Sequence, residues 1–331
     1  MKFSVWFAFL LAAAPAGAAP IQHDFLVIDE GLSDLMRVDQ ADPRQGWRVH
    51  LGREQPRDMQ LEGANRLLIS HDHGYSEHDL ATGALLKDVS AFHDVSSARR
   101  LPNGNLLLAG VDFDRPKTHP GDGPLGDPAG RHILLVEYDP AGAVVRRTAY
   151  PGDFLRLVRE TATGTYLCGT NLTLKEADGA GNWIGEISEV GFQHAWMALR
   201  LPNGDTLLSA GSATPVPPRK FASSFLEEVD PAGAIVRKFG DAGHVPSRAH
   251  PNFYAMFQVL PSGHVVAANW QGHGAGHNHA GPQILEFDGE GAVAWEWSDP
   301  SVSSVQGVLV LDGLDPSVMN DEHRGVMGPA R

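Results

Sequence analysis

The chain has 331 residues, with 40 acidic side chains against 26 basic ones and a net charge of −14. An acidic surface of this kind repels phosphate backbones and anionic bilayers, which excludes charge-driven binding to nucleic acid or membrane. A single cysteine, Cys168, excludes an internal disulfide, and its apolar setting "TYLCG" predicts a buried, inert thiol.

Residues 1–18 combine one lysine, an apolar run and the small residues Ala16, Gly17 and Ala18, which predicts a cleaved secretory signal peptide. No later stretch reaches the roughly 18–20 apolar residues of a membrane-spanning helix. The expected product is an exported, monomeric protein, periplasmic or extracellular.

Three short strands follow, "DFLVIDEG", "LMRVDQ" and "GWRVHLG". From there the chain repeats itself. The segments 98–110, 198–211 and 256–270 each read as a hairpin around a Pro-x-Gly turn: "ARRLPNGNLLLAG", "ALRLPNGDTLLSAG" and "MFQVLPSGHVVAANW". Each is followed by a second hairpin around Asp-Pro-Ala-Gly or Asp-Gly-Glu-Gly: "ILLVEYDPAGAVVRR" (133–147), "SFLEEVDPAGAIVRK" (224–238) and "QILEFDGEGAVAWEW" (283–297). Weaker copies occupy 58–90 and 153–190. Five four-stranded units at a period of about 50 residues predict an all-β propeller.

The strand "SSVQGVLVLDG" (303–313) joins the three N-terminal strands as a sixth blade, so both sheet edges disappear. One domain is predicted over 19–315, with 316–331 a frayed tail.

In such a meander the tight turns share one face, and the long connections share the other, here called the top. Most of the 16 histidines fall on or beside top connections. The innermost strand of each blade starts at the top, so its first residues converge on the mouth of the central channel. These are Asp58, His93 with Asp94, Asp153, His194 with Trp196, His250 with Asn252, and Ser303 with Ser304. A ring of this composition predicts a site for a small anionic or saccharide ligand.

The fifth blade's top loop, "NWQGHGAGHNHAGPQ" (269–283), adds Trp270, Gln271 and His273 on the channel side, with His277 and His279 farther out. Imidazoles at this spacing are also compatible with a divalent metal, held by His273, Gln271, His250 and His194. Asp112, Asp114 and Arg115 flank the second blade's top loop. Arg219, Lys220 and Arg248 are the basic groups nearest the ring. Polar groups of this kind also cap loops and bind channel water, and a non-catalytic propeller that binds a saccharide or a partner protein through the same face stands beside the enzymatic readings.

The repeats "HDVSSARRLPNGNLLLAG", "HAWMALRLPNGDTLLSAG" and "HPNFYAMFQVLPSG" resemble those of the arylsulfotransferase and related quinoprotein-like propellers. The resemblance implies sulfuryl transfer through a histidine nucleophile, with a second His as acid or base. It places those roles on His250, His194 and His93, with Asn252 holding the sulfuryl oxygens and no cofactor. That family carries an additional N-terminal β domain, which is not expected within these 331 residues. Propeller polysaccharide lyases, which use a His/Gln metal site, offer a third reading.

Overall fold

The computed structural model describes residues 20–53, 55–114, 130–188, 192–213, 221–276 and 280–330. The predicted signal peptide, Arg115, His119, Arg219, Lys220, His277 and His279 lie outside the described residues.

Six four-stranded antiparallel sheets form the blades of a propeller. Blades one to five span 59–89, 95–151, 158–187, 192–239 and 253–297 in chain order. Their inner strands are Met59–Gly63, Val95–Arg100, Val158–Glu160, Phe192–Arg200 and Phe253–Val259. Inner strands are wrapped by neighbours on all sides, and Val305–Val310 and Phe253–Val259 are buried at every position. Outer strands face water on one side and alternate, as Trp183–Ile187 does.

The sixth blade closes the ring. Its inner strand, Val305–Val310, pairs with Asp24–Asp29, which pairs in turn with Asp34–Asp39 and Trp47–His50. Phe25 lies opposite both Val38 and Val310, packed edge-on against Trp295 and Trp297 of blade five. His23, just before this strand, bridges Glu286 of blade five at 2.8 Å and Asp312 at 2.5 Å, and His264 holds the other Glu286 oxygen at 2.6 Å.

Each Asp-x-x-Gly turn is fixed by its own aspartate. Asp139 Oδ1 accepts from the amides of Ala141 and Ala143 at 2.9 and 2.8 Å, and Asp230 repeats this pattern with Ala232 and Ala234. Asp178 does the same in blade three, although "EADGAGNW" lacks the proline of its counterparts.

The expected frayed tail is a correction. Residues 314–330 cross the lower end of the channel: Glu62 bridges to Met319, the Met327 amide donates to Val259 O at 3.2 Å, and Gly325 packs on Arg200. These partners end the inner strands of blades one, five and four. Gly325 has φ +80°, and a Cβ there would lie 2.4 Å from Arg200 O, so the crossing requires glycine. Asn320, Glu322 and Met327 are buried.

Candidate active site at the channel mouth

The inner strands enter the channel through irregular backbone. In blades two, four and five their register shifts near the top, between Val95 and Ser97, Gln193 and Met197, and Tyr254 and Phe257. Three residues at these entries adopt the left-handed conformation: Asp94 (φ 53°), His194 (φ 55°) and His250 (φ 39°). Each such residue costs on the order of 1–3 kcal/mol, and bulges re-aim side chains. Gly169 makes room for the bulge in blade four, since a Cβ there would lie 2.4 Å from Trp196 O.

His194 and Trp196 lie in one aromatic cluster. The His194 ring lies 5.5 Å from Phe154 and 6.4 Å from Phe253. Phe253 continues to Trp196 at 5.5 Å and Trp270 at 6.2 Å, and Trp270 to His273 at 4.7 Å.

Two arginines that the sequence reading did not single out complete the mouth. The Arg156 guanidinium is sandwiched between Phe154 at 4.1 Å and Trp196 at 4.8 Å. Arg57 is 9% exposed, and its side chain makes one long hydrogen bond, to Val95 O at 3.5 Å. Among the described residues neither guanidinium forms an ion pair, and Arg156 Nε and Trp196 Nε1 are buried donors without an acceptor.

Burial pushes the Arg57 pKa down, with Asp72, Asp94 and Glu30 partly offsetting it. Arg156 is pushed down further, by burial and then by the Arg57 charge, against Glu30. The same setting lowers His194 to about 4, by burial and then by Arg156, so its imidazole is neutral at pH 7.

Glu30 faces both guanidiniums from the turn between the first two N-terminal strands. Its carboxylate accepts from Trp270 Nε1 at 3.2 Å and pairs with His273 Nδ1 at 2.8 Å.

The other predicted residues divide. Asp94 stands beside Arg57 and pairs with His93 Nδ1 at 2.9 Å. Asp153 is half-buried at the entry to blade three. The Asn252 side chain donates to Trp270 O at 3.0 Å, and Gln271 Nε2 reaches His250 O at 3.4 Å, so both hold the loop on which Trp270 sits. The His250 side chain is exposed.

Asp58 and Arg248 are not at the mouth. Asp58 is fully buried in the channel, where it accepts from Arg159 at 2.9 and 3.0 Å and from Ser97. Glu322 accepts from Arg99 at 2.6 Å and lies 3.4 Å from Arg159, which completes a network of two cations and two anions. Arg248 is exposed and pairs with Glu296 of the outer strand at 3.2 Å. Among the described residues no three His, Cys, Asp or Glu side chains are grouped as metal ligands, so His194, His250 and His273 do not converge with Gln271 on an ion.

Arg57 and Arg156 were missed for different reasons. Arg57 adjoins Asp58 at the entry to blade one, where alternation sends the neighbouring side chain to the other side. Arg156 was passed over because the inner strand of blade three is only Val158–Glu160, which moves the effective entry past Asp153.

No protein-family model and no curated protein sequence matches the chain. Among solved structures, a protein of unknown function from Bacteroides caccae aligns with a TM-score of 0.64 at 19% identity, covering 88% of this chain and 99% of that one. The WD40 β-propeller domain of Doa1 aligns with a TM-score of 0.52 at 11% identity, covering 87% and 88%. These likenesses extend the propeller architecture and nothing finer.

Proposed function

We propose that this propeller binds a small anionic ligand at its upper channel mouth, on Arg57 and Arg156. The observation that carries the reading is the pair of deeply set guanidiniums that form no ion pair among the described residues. A buried charge without a partner is costly, and two adjacent like charges more so. A bound oxyanion would neutralise both and accept from Arg156 Nε, leaving Trp196 Nε1 for another oxygen of the ligand; neither donor has an acceptor among the described residues. Phe154, Trp196 and Phe253 keep water from the site, which strengthens the attraction. The protein is proposed to act after export, as residues 1–18 predict.

One observation favours chemistry as well as binding. His194 is held neutral beside Arg156, and a neutral imidazole can attack the sulfur of an aryl sulfate whose oxygens rest on guanidinium. The N–S bond forms as the S–O(aryl) bond breaks and the phenolate leaves, and an acceptor phenol then takes the sulfuryl group and restores the imidazole. This agrees with the arylsulfotransferase-like reading and moves the nucleophile's role to His194.

The test is calorimetric titration of the mature protein with inorganic sulfate and acetate. Binding that falls at least tenfold in both Arg57→Ala and Arg156→Ala is expected. Binding unchanged in both variants would refute the reading. Transfer is tested separately with p-nitrophenyl sulfate and a phenol acceptor, where His194→Ala should abolish turnover and leave sulfate binding within a few-fold.

A further inference from the structure

The geometry points to an acidic sugar, a pyranose bearing one carboxylate or sulfate group, as the ligand class of this mouth; the inference rests on the anion reading above. A lone oxyanion leaves half of the mouth unexplained. From the Arg156 guanidinium the wall runs through Trp196 to Phe253 and on to Trp270, so Trp270 stands two aromatic neighbours away from Trp196, the ring that stacks on the cation. An anion seated on the guanidiniums does not extend to that rim, whereas a six-membered ring carrying the anion does.

The rim is built for a ring with hydroxyl groups. Trp270 is the half-exposed member of the aromatic set, while Trp196 and Phe253 are each 5% exposed. It therefore offers an apolar platform to the C–H face of a sugar. Beside it stands Glu30, a carboxylate within an anion site, where by itself it would repel the ligand. Its two oxygens each take one bond, from Trp270 and His273, which fixes the group and leaves a lone pair on each. A ligand hydroxyl donating to Glu30 turns that repulsion into recognition. An ammonium group would serve Glu30 equally well but would meet the Arg57 and Arg156 charges at close range, so the hydroxyl is favoured. Trp196 Nε1 remains as a donor for a ring or exocyclic oxygen.

Under this assignment Glu30 and Trp270 determine specificity, while Arg57 and Arg156 supply affinity for the charge. Sites that hydrogen-bond a substrate hydroxyl discriminate strongly against analogues that lack it, because their polar groups are then left unpaired.

The experiment titrates the mature protein with D-glucuronate, D-glucose and acetate, followed by calorimetry and tryptophan fluorescence. Glucuronate should bind at least tenfold more tightly than either acetate or glucose. Glu30→Gln and Trp270→Ala should each lower the glucuronate-to-acetate affinity ratio about tenfold, the scale of one charge-assisted hydrogen bond. Acetate binding itself should hold or strengthen in Glu30→Gln, which shows that the variant is folded. If acetate matches glucuronate, or the ratio is unchanged in both variants, the sugar assignment fails while anion binding stands. If no probe binds and sulfate is also silent, both fall.

Discussion

Replacing Glu322 by alanine should destabilise the whole propeller, although only nine residues follow it in the sequence. In the native channel Arg99 and Arg159 share Asp58 and Glu322, two positive against two negative charges, with side chains at most 7% exposed. Deleting the Glu322 carboxylate leaves one unbalanced positive charge in that enclosure. Breaking a buried pair costs about 3–5 kcal/mol, and Asp58 remains bound to both arginines, so the lower figure applies. Unfolding entropy near 2.1 cal/mol/K per residue gives roughly 0.65 kcal/mol/K over about 300 ordered residues, so ~3 kcal/mol lowers Tm by ~5 °C. Glu322→Gln keeps an acceptor for Arg99 and should lose less. Differential scanning calorimetry reads both, and limited proteolysis should show release of the C-terminal segment in Glu322→Ala. A Tm within about 1 °C of the parent, with the segment equally protected, would refute the claim that it seals the channel.

Arg156→Met should do the reverse, keeping or raising Tm while abolishing sulfate binding, because it removes a buried charge that has no ion-pair partner among the described residues. A Tm loss of several degrees would show that Arg156 is structural. Two histidines should give opposite pH signatures. His71 is fully buried, and burial lowers its pKa to about 4, so between pH 6.5 and about 4 the unfolded chain holds a proton that the folded one does not. Stability is therefore lost as pH falls through that window, by on the order of 3 kcal/mol, and His71→Gln should flatten the slope of Tm against pH. For His23, burial alone would lower the pKa, but the bonds to Glu286 and Asp312 outweigh it and raise it. Its contribution is complete below pH 6.5 and is lost as pH rises through the raised value, so His23→Leu should cost more at pH 6 than at pH 9.

What could be read in the sequence was what local chemistry writes there. The Asp-x-x-Gly turns announce themselves because Asp139, Asp230 and Asp288 each bond amides within four residues. The apolar runs of Asp24–Asp29 and Val305–Val310, with three strands left over at one end of the chain and one at the other, were enough to assign both strands to one closing blade. The histidine at the entry to blade four was legible by its place in the repeat. The C-terminal crossing was not, since "LDPSVMNDEHRGVMGPAR" has no periodicity and is held by contacts to residues of five blades, all far away in sequence. Asp58 was misplaced for a related reason. Its partners Arg159 and Ser97 are 101 and 39 residues away, and nothing near residue 58 reveals that its charge is already used.

The contrast within the channel bears on whether the unpaired arginines are placed or incidental. Arg57 and Asp58 are consecutive, and the backbone sends them to different fates. Asp58 joins Arg159, Arg99 and Glu322 in a balanced network at the sealed end, whereas Arg57 and Arg156 at the open end form no ion pair among the described residues. The chain also holds Glu30 nearby and engages its oxygens with Trp270 and His273. A protein with net charge −14 has no shortage of carboxylates with which to neutralise two guanidiniums. That it forms close ion pairs at the bottom but, among the described residues, none to these two guanidiniums at the top, where Asp72, Asp94 and Glu30 act on Arg57 only from a distance, is the pattern expected where a ligand supplies the missing anion. The strained entries at Asp94 and His194 lie at the same end.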